Sequence, residues 1–261
     1  MASLNPLQMR EVFHLVFLRE LLRHVPMSAF ALKGGANLRF FFGSIRYSED
    51  LDIDATGLAV HALQERVMKV LKSSGLVDGL RTFGVEELRL PNLARAKQTE
   101  TVQRFKIGLL TSAGEDLATK VEFSRRGLDQ GVRAEAVAAE ILATYRMPPM
   151  IVPHYDARSA ALQKVRALSS RAQPQARDIF DLYLLSSQPG VLEANLKDSF
   201  GPEMIRRARD RIDSIEYRQY RGTLVSFLGP EDRAGYDSRK IWDEIRLRVL
   251  SMLEGGGSVS S

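Results

Sequence analysis

Apolar residues recur along this chain with two different periods, and the change of period divides it. From Leu7 to Val25, the residues Met9, Val12, Phe13, Val16, Phe17, Leu21 and Leu22 keep helical spacing, which predicts one packed helix. Phe30 to Gly57 (FALKGGANLRFFFGSIRYSEDLDIDATG) reads differently. It gives a strand end, a Gly-Gly turn, a short helix carrying Ala36, Leu38 and Phe40-Phe41-Phe42, a loop, and a second strand. Ala59 to Ser74 is amphipathic again and stops at Gly75. Leu80 to Thr111 reads as several strands (LRTFGVEELRL, then TVQRFKIGLL) around a polar loop with Pro91 and Arg95. Asp116 to Arg126 alternates strongly, with Lys120, Glu122 and Ser124 on one face and Val121 and Phe123 on the other. Val132 to Tyr145 is Ala-rich and reads as helix. Met147 to Asp156 (MPPMIVPHYD) reads as a stiff extended connection set by its prolines. From Ala157 onward the pattern is helical almost throughout. The elements predict an α+β protein, with a sheet-containing domain over 1–150, a mostly helical domain over 151–254 and a disordered tail over 255–261.

Composition narrows the class. Apolar residues make up 44% and charged residues 26% of the 261 positions, the balance of a globular protein long enough to bury its own core. The absence of cysteine removes disulfides, thiolate metal sites and cysteine catalysis. No apolar run is long enough for a membrane span, and the N-terminus lacks a signal peptide's apolar core, so the expected compartment is the cytoplasm. A net charge of +5 permits a nucleic-acid partner without requiring one. The stripe Arg206, Arg207, Arg209, Arg211, Arg218 and Arg221, interleaved with Tyr217 and Tyr220, reads as a solvated helix face or as an RNA contact. Trp242 keeps helical spacing with Ile245, Val249 and Leu253 and is expected in the core. His14 and His24 are expected to be surface or partly buried residues and not ligands, His61 to sit on a solvated helix, and His154, within the proline-rich connection, is a weak candidate for any role.

Chemistry concentrates at SEDLDID. In an extended segment Asp50, Asp52 and Asp54 point to one face and Leu51 and Ile53 to the other. Aspartate is depleted in strands and like charges repel, so the arrangement costs stability unless a partner compensates. A divalent cation is the natural partner, because hard ions such as Mg²⁺ take carboxylate oxygens together with phosphates and water. The alternative is a solvated strand face near a turn. Upstream, Gly34-Gly35 lets backbone approach a ligand at a helix start, where an anion is favoured. A phosphate cradle beside paired carboxylates is what phosphoryl or nucleotidyl transfer requires. The GxxxxGK[ST] phosphate loop is absent. Later in the chain, Lys164, Leu168 and Arg171 lie on adjacent helical turns, so both cations reach one place. Asp178 and Asp181 lie three apart on a further helix, with Arg177 beside them.

KGG followed by RxSxDxD (Arg46, Ser48, Asp50, Asp52) resembles the first motif of the polymerase-beta-type nucleotidyltransferases, and more narrowly that of the AbiEii and MenT toxins of type IV toxin–antitoxin systems. The KxE strand, Lys120 and Glu122, resembles the second motif. KxxALxxR and RDxFDLYxL, over Lys164 to Arg171 and Arg177 to Leu185, resemble the third and fourth. The resemblance implies a nucleotidyltransferase-type mixed β-sheet with flanking helices, and a helical domain that completes the active-site cleft. It implies transfer of NMP from an NTP, with Mg²⁺ (two ions) held by Asp50, Asp52 and Glu122. Gly34, Gly35, Arg46, Ser48, Lys120, Arg171 and Arg177 would then contact the nucleotide, with Lys164 and Asp178 catalytic beside the two aspartates. On the same basis the acceptor is an RNA 3′ end, tRNA above all, and an antitoxin is encoded alongside. Two alternatives stay open: nucleotidylation of a protein side chain, and a non-catalytic nucleotide-binding partner. For Glu122 an exposed cross-strand ion pair remains the competing reading, and for Asp178 and Arg177 helix capping with an internal salt bridge.

Overall fold

A computed structural model describes residues 4–194 and 196–255. The chain divides into two units. Residues 1–41 with 47–155 make the first, and residues 42–46 with 156–261 the second. The expected tail beyond Gly255 lies outside the described residues.

The first unit starts with α1 (Pro6–Leu21), opened by a capping box in which the Asn5 side chain accepts from Leu7 and Gln8 N–H and Gln8 returns a bond to Asn5. Val12, Phe13, Leu15, Val16, Phe17 and Leu18 are all fully buried, so this helix is enclosed on every side. That enclosure corrects the reading of His14. It is 1% exposed, with Nε2 3.1 Å from Thr119 Oγ1, and burial drives its pKa down to about 3. Then follow β1 (Phe30–Lys33), α2 (Gly34–Phe41) and β2 (Asp50–Ala55). The amphipathic stretch after β2 is two helices, α3 (Val60–Leu71) and α4 (Ser74–Arg81), because Ser73 caps a new helix through Leu76 N–H across Gly75. Leu80 and Arg81, expected in a strand, therefore end α4.

The remaining strands are β3 (Val85–Arg89), β4 (Val102–Thr111), β5 (Asp116–Ser124), β6 (Val132–Ala136) and β7 (Ile151–Tyr155), with α5 (Ala139–Thr144) before the last. The Ala-rich stretch expected as one helix is thus half strand, since β6 pairs antiparallel with β7. The proline-rich segment expected as a connection is β7 itself. The sheet order is β3-β4-β5-β2-β1-β7-β6, mixed, with β2 parallel to β5 and antiparallel to β1. One face carries Leu32, Leu51, Ile53, Val121, Phe123, Phe105 and Ile107 into a core shared with α1, α3 and α4. Period-2 alternation then forces Lys33, Asp50, Asp52, Lys120, Glu122 and Arg104 onto the other face.

The second unit is helical: α6 (Ala157–Ser170), α7 (Ala176–Leu185), α8 (Pro189–Leu192), α9 (Pro202–Ser214), α10 (Tyr217–Thr223), α11 (Pro230–Tyr236) and α12 (Arg239–Glu254). Trp242 lies in its core as expected, donating from Nε1 to the Ile215 carbonyl. Tyr220 is buried too, stacked on Trp242 at 4.5 Å between ring centres, so it offers no platform to a base.

Candidate active site

Strand β2 lies between β1 and β5, which sets Lys33 opposite Asp52 on one side and pairs Asp50 with Lys120 and Asp52 with Glu122 on the other. The three aspartates meet three different fates. Asp54 is occupied: Lys33 Nζ lies 2.5 Å from Oδ1, and the Tyr155 hydroxyl donates to Oδ2 at 2.8 Å. Asp50 accepts Lys120 Nζ at 2.9 Å, and the same ammonium lies 3.5 Å from Glu122 Oε2. Asp52 is half-buried and, among the described residues, its carboxylate makes no hydrogen bond or ion pair. Burial pushes its carboxyl above the ordinary carboxylate range. Asp50 and Glu122 push the same way, and Lys120 and Lys33 offset this only in part. Burial opposes the Lys120 ammonium and is the largest single influence, yet the bond to Asp50 together with the charges of Asp50, Asp52 and Glu122 outweighs it, and its pKa is raised.

Gly34 opens this site. Its φ of +70° is the left-handed region that side chains avoid, and a Cβ there would lie 2.7 Å from Asp52 Oδ2. The β1–α2 turn therefore comes closer to Asp52 than any other residue type would allow. Gly35 lies in the first turn of α2, and Ser48 donates to the Asp50 carbonyl at 2.8 Å, fixing the entry to β2.

Glu122 is turned aside: Arg104 Nε donates to its Oε2 at 2.6 Å. Among the described residues no three His, Asp or Glu are arranged to hold a metal ion. The pair Asp50 and Asp52 remains. Two hard-oxygen ligands on one face, one of them without a partner, fit a Mg²⁺ ion that completes its shell with phosphate and water.

The other expected residues gather in the second unit. Asp178 and Asp181 are fully buried on α7. Lys164 Nζ lies 3.1 Å from Asp178 Oδ1 and 2.6 Å from Asp181 Oδ2. Arg46 grips Asp181 with a fork, Nη2 at 2.9 Å from Oδ2 and Nε at 3.1 Å from Oδ1. Arg171 Nε approaches Asp178 Oδ2 at 3.1 Å but is not aligned to donate, which leaves that buried oxygen without a hydrogen bond. Arg171 and Arg177 both donate to Gln175 Oε1 at 2.7 Å. Burial opposes both charged forms at the centre. It is outweighed at Lys164 by the aspartates, which raise its pKa, and at Asp181 by Arg46 and Lys164, which hold its carboxyl low.

Arg46 is expected with Ser48 at the phosphates, and its side chain is paired with Asp181, 135 residues away. The sequence pattern assigns no partner to Lys33, Arg104 or Tyr155. Their signal is register, which a single strand does not display. His154 is not a bystander either: it is fully buried, with Nδ1 2.9 Å from Asn37 Oδ1 and its ring stacked on Phe41.

A mixed sheet presenting paired aspartates beside a glycine-opened helix start, followed by a helical unit, has the architecture of the nucleotidyltransferases. MenT4, a nucleotidyltransferase toxin from Mycobacterium tuberculosis H37Rv, has a similar fold, with a TM-score of 0.60 at 19% identity over 100% of this chain and 87% of that chain. JHP933 from Helicobacter pylori gives 0.51 at 19% identity over 94% and 90%. Residues 16–246 match the profile described as nucleotidyl transferase AbiEii toxin, type IV TA system. The chain belongs to that family. It is a nucleotidyltransferase, and membership brings an NTP substrate and an antitoxin partner with it. No curated protein matches it by sequence. No helix among the described residues is long and apolar enough to cross a membrane.

Proposed function

We propose that this protein is a Mg²⁺-dependent toxin that moves NMP from an NTP to the 3′ end of tRNA in the cytoplasm, blocking translation and growth. The single observation that carries the reading is the half-buried Asp52 carboxylate, unpartnered beside Gly34 on the strand that also presents Asp50. Asp50 and Asp52 are the residues to hold the Mg²⁺ ions, with Glu122 able to join them only by leaving Arg104. Bound there, Mg²⁺ would neutralise triphosphate charge and acidify the acceptor hydroxyl.

In the transfer, the acceptor oxygen bonds to the α-phosphorus, the bond to pyrophosphate breaks, and the hydroxyl proton is lost to solvent. The chain's own residues bind and orient. Gly34 and Gly35 bring backbone to the phosphates, and Ser48 fixes the start of β2. Lys120 has its ammonium on Asp50 and Glu122, and we assign it to a phosphate that would take their place. We assign charge neutralisation on the triphosphate to Lys164, held by Asp178 and Asp181, with Arg171 and Arg177 beside it. Arg46 acts by fixing Asp181.

The test is to incubate the protein with Mg²⁺, each labelled NTP in turn and total tRNA, with Asp52→Ala alongside. Label on RNA with wild type only is the expected result, and it names the nucleotide. Label on protein would replace the acceptor. No label, with NTP binding retained, would replace transfer by a non-catalytic binding role.

A further inference from the structure

Two grooves flank α9, and their charge sets them apart. One, about 550 Å³, is lined by Lys197, Arg206 and Arg209 against Asp198, Asp210 and Asp213, and is neutral. The other, also about 550 Å³, lies between α9 and the end of α6. It is lined by Ser169, Ser170, Arg171, Arg206, Arg207 and Arg211, with Asp210 the only carboxylate among its lining residues. Helical spacing puts the α9 members on one stripe, while Ile205, Ala208 and Ile212 are buried on the opposite side.

We infer that the second groove binds the phosphodiester backbone of the RNA acceptor strand. This rests on the RNA-acceptor reading above. Arg211 is the strongest pointer: it is half-buried, and among the described residues its guanidinium has no ion pair or hydrogen bond. A half-buried cation without a partner gains from an anion in the groove. Arg206 and Arg207 do have partners, Glu203 for both and Asp210 also for Arg206, but those pairs are exposed and weak, so a phosphate can replace them. The carbonyl end of α6 opposes an anion with about half a charge, which the four guanidinium groups outweigh.

The stripe from Arg206 to Ser214 runs about 12 Å, long enough to meet more than one backbone phosphate of a strand. No aromatic side chain lines the groove, so it reads backbone and not bases. Arg171 joins this groove to Asp178 and hence to the Lys164 cluster, which places the strand beside residues assigned to the triphosphate.

The experiment compares Arg207→Glu/Arg211→Glu with wild type, after matching their melting curves. Binding of a short labelled single-stranded RNA of mixed sequence is read by anisotropy across a KCl series, and NTP binding is read separately. Loss of two phosphate contacts should weaken RNA binding by at least about tenfold at low salt, and lower the log–log salt slope by about 1.4. NTP affinity should be unchanged, and KM for RNA should rise. Arg211→Lys should keep most of the affinity, which controls for misfolding. Unchanged RNA affinity and slope would overturn the groove while the RNA-acceptor reading stood. A parallel loss of NTP affinity would assign the groove to the triphosphate instead. If wild type labels no RNA, the acceptor reading fails and the groove inference falls with it.

Discussion

A Gly34→Ala substitution would impose two penalties that the structure allows to be measured apart. The first is backbone strain. At φ +70° a side chain costs about 1–2 kcal/mol relative to glycine. The second is contact with the site. The new Cβ would lie 2.7 Å from Asp52 Oδ2, where ordinary contact begins at 3.4 Å, so the carboxylate must retreat by about 0.7 Å. A misplacement of about 1 Å at a reacting centre can cost on the order of 10²-fold in rate, so a loss in kcat/KM of roughly ten- to a hundredfold is expected. Gly57 provides the control. Its φ is +69°, and a Cβ there meets nothing within 4 Å. Gly57→Ala should therefore lose about the same stability and keep its activity. The assay is nucleotide transfer paired with urea denaturation on both variants. Full activity in Gly34→Ala, or equal activity loss in the two, would refute the claim that Gly34 serves Asp52.

Three further outcomes follow from the same geometry. Asp52→Ala should abolish transfer yet leave stability unchanged or higher by up to about 1 kcal/mol, since no bond is lost and repulsion from Asp50 and Glu122 is relieved; a marked fall in melting temperature would make Asp52 structural. Asp181→Ala should destabilise by about 3–5 kcal/mol, because Arg46 and Lys164 lose a buried counter-charge, and denaturant titration that shows less than about 1 kcal/mol would overturn the account of that cluster. His14 is held neutral in the fold, with a pKa of about 3 against 6.5 unfolded. Protons therefore favour the unfolded chain below pH 6.5, and about 2 kcal/mol should be lost between pH 7 and 5. The depressed carboxyl of Asp181 adds to the loss only at lower pH, as pH falls through its folded value. His14→Gln should flatten the pH 7 to 5 part of the curve, and an unchanged slope would disprove the assignment.

What could be read in advance was whatever depends on local period. Alternation over Asp50–Asp54 and Lys120–Ser124 gave the polar face of β2 and β5 correctly, because side-chain direction in a strand needs no knowledge of neighbours. Pairing needs that knowledge. Nothing local says that Arg104 stands opposite Glu122, or that Asp181 waits for Arg46. The alanines over residues 134–143 favour a helix, yet residues 132–136 pair with β7, so tertiary contact overrides propensity. The prolines concealed β7 for a related reason. Pro153 sits in mid-strand, opposite Ala134 of β6, while the pairing with β1 is a single register position, Leu32 with His154. Helical spacing of the apolar positions in α1 does not reveal that residues 11–18 are buried on every side, His14 among them.

The excursion of residues 42–46 bears on how the protein can be dissected. A fragment ending at Tyr155 looks like a self-contained catalytic piece, since it holds every strand of the sheet. It would nonetheless carry Arg46 away from Asp181, stranding a guanidinium that is 4% exposed in the intact chain. The reverse fragment, from Asp156 onward, would keep Asp181 and Lys164 but lack the arginine that pairs with Asp181. Neither half is a complete unit of inheritance or of expression. Recombination that swaps one half between relatives must carry a compatible residue at position 46 with it.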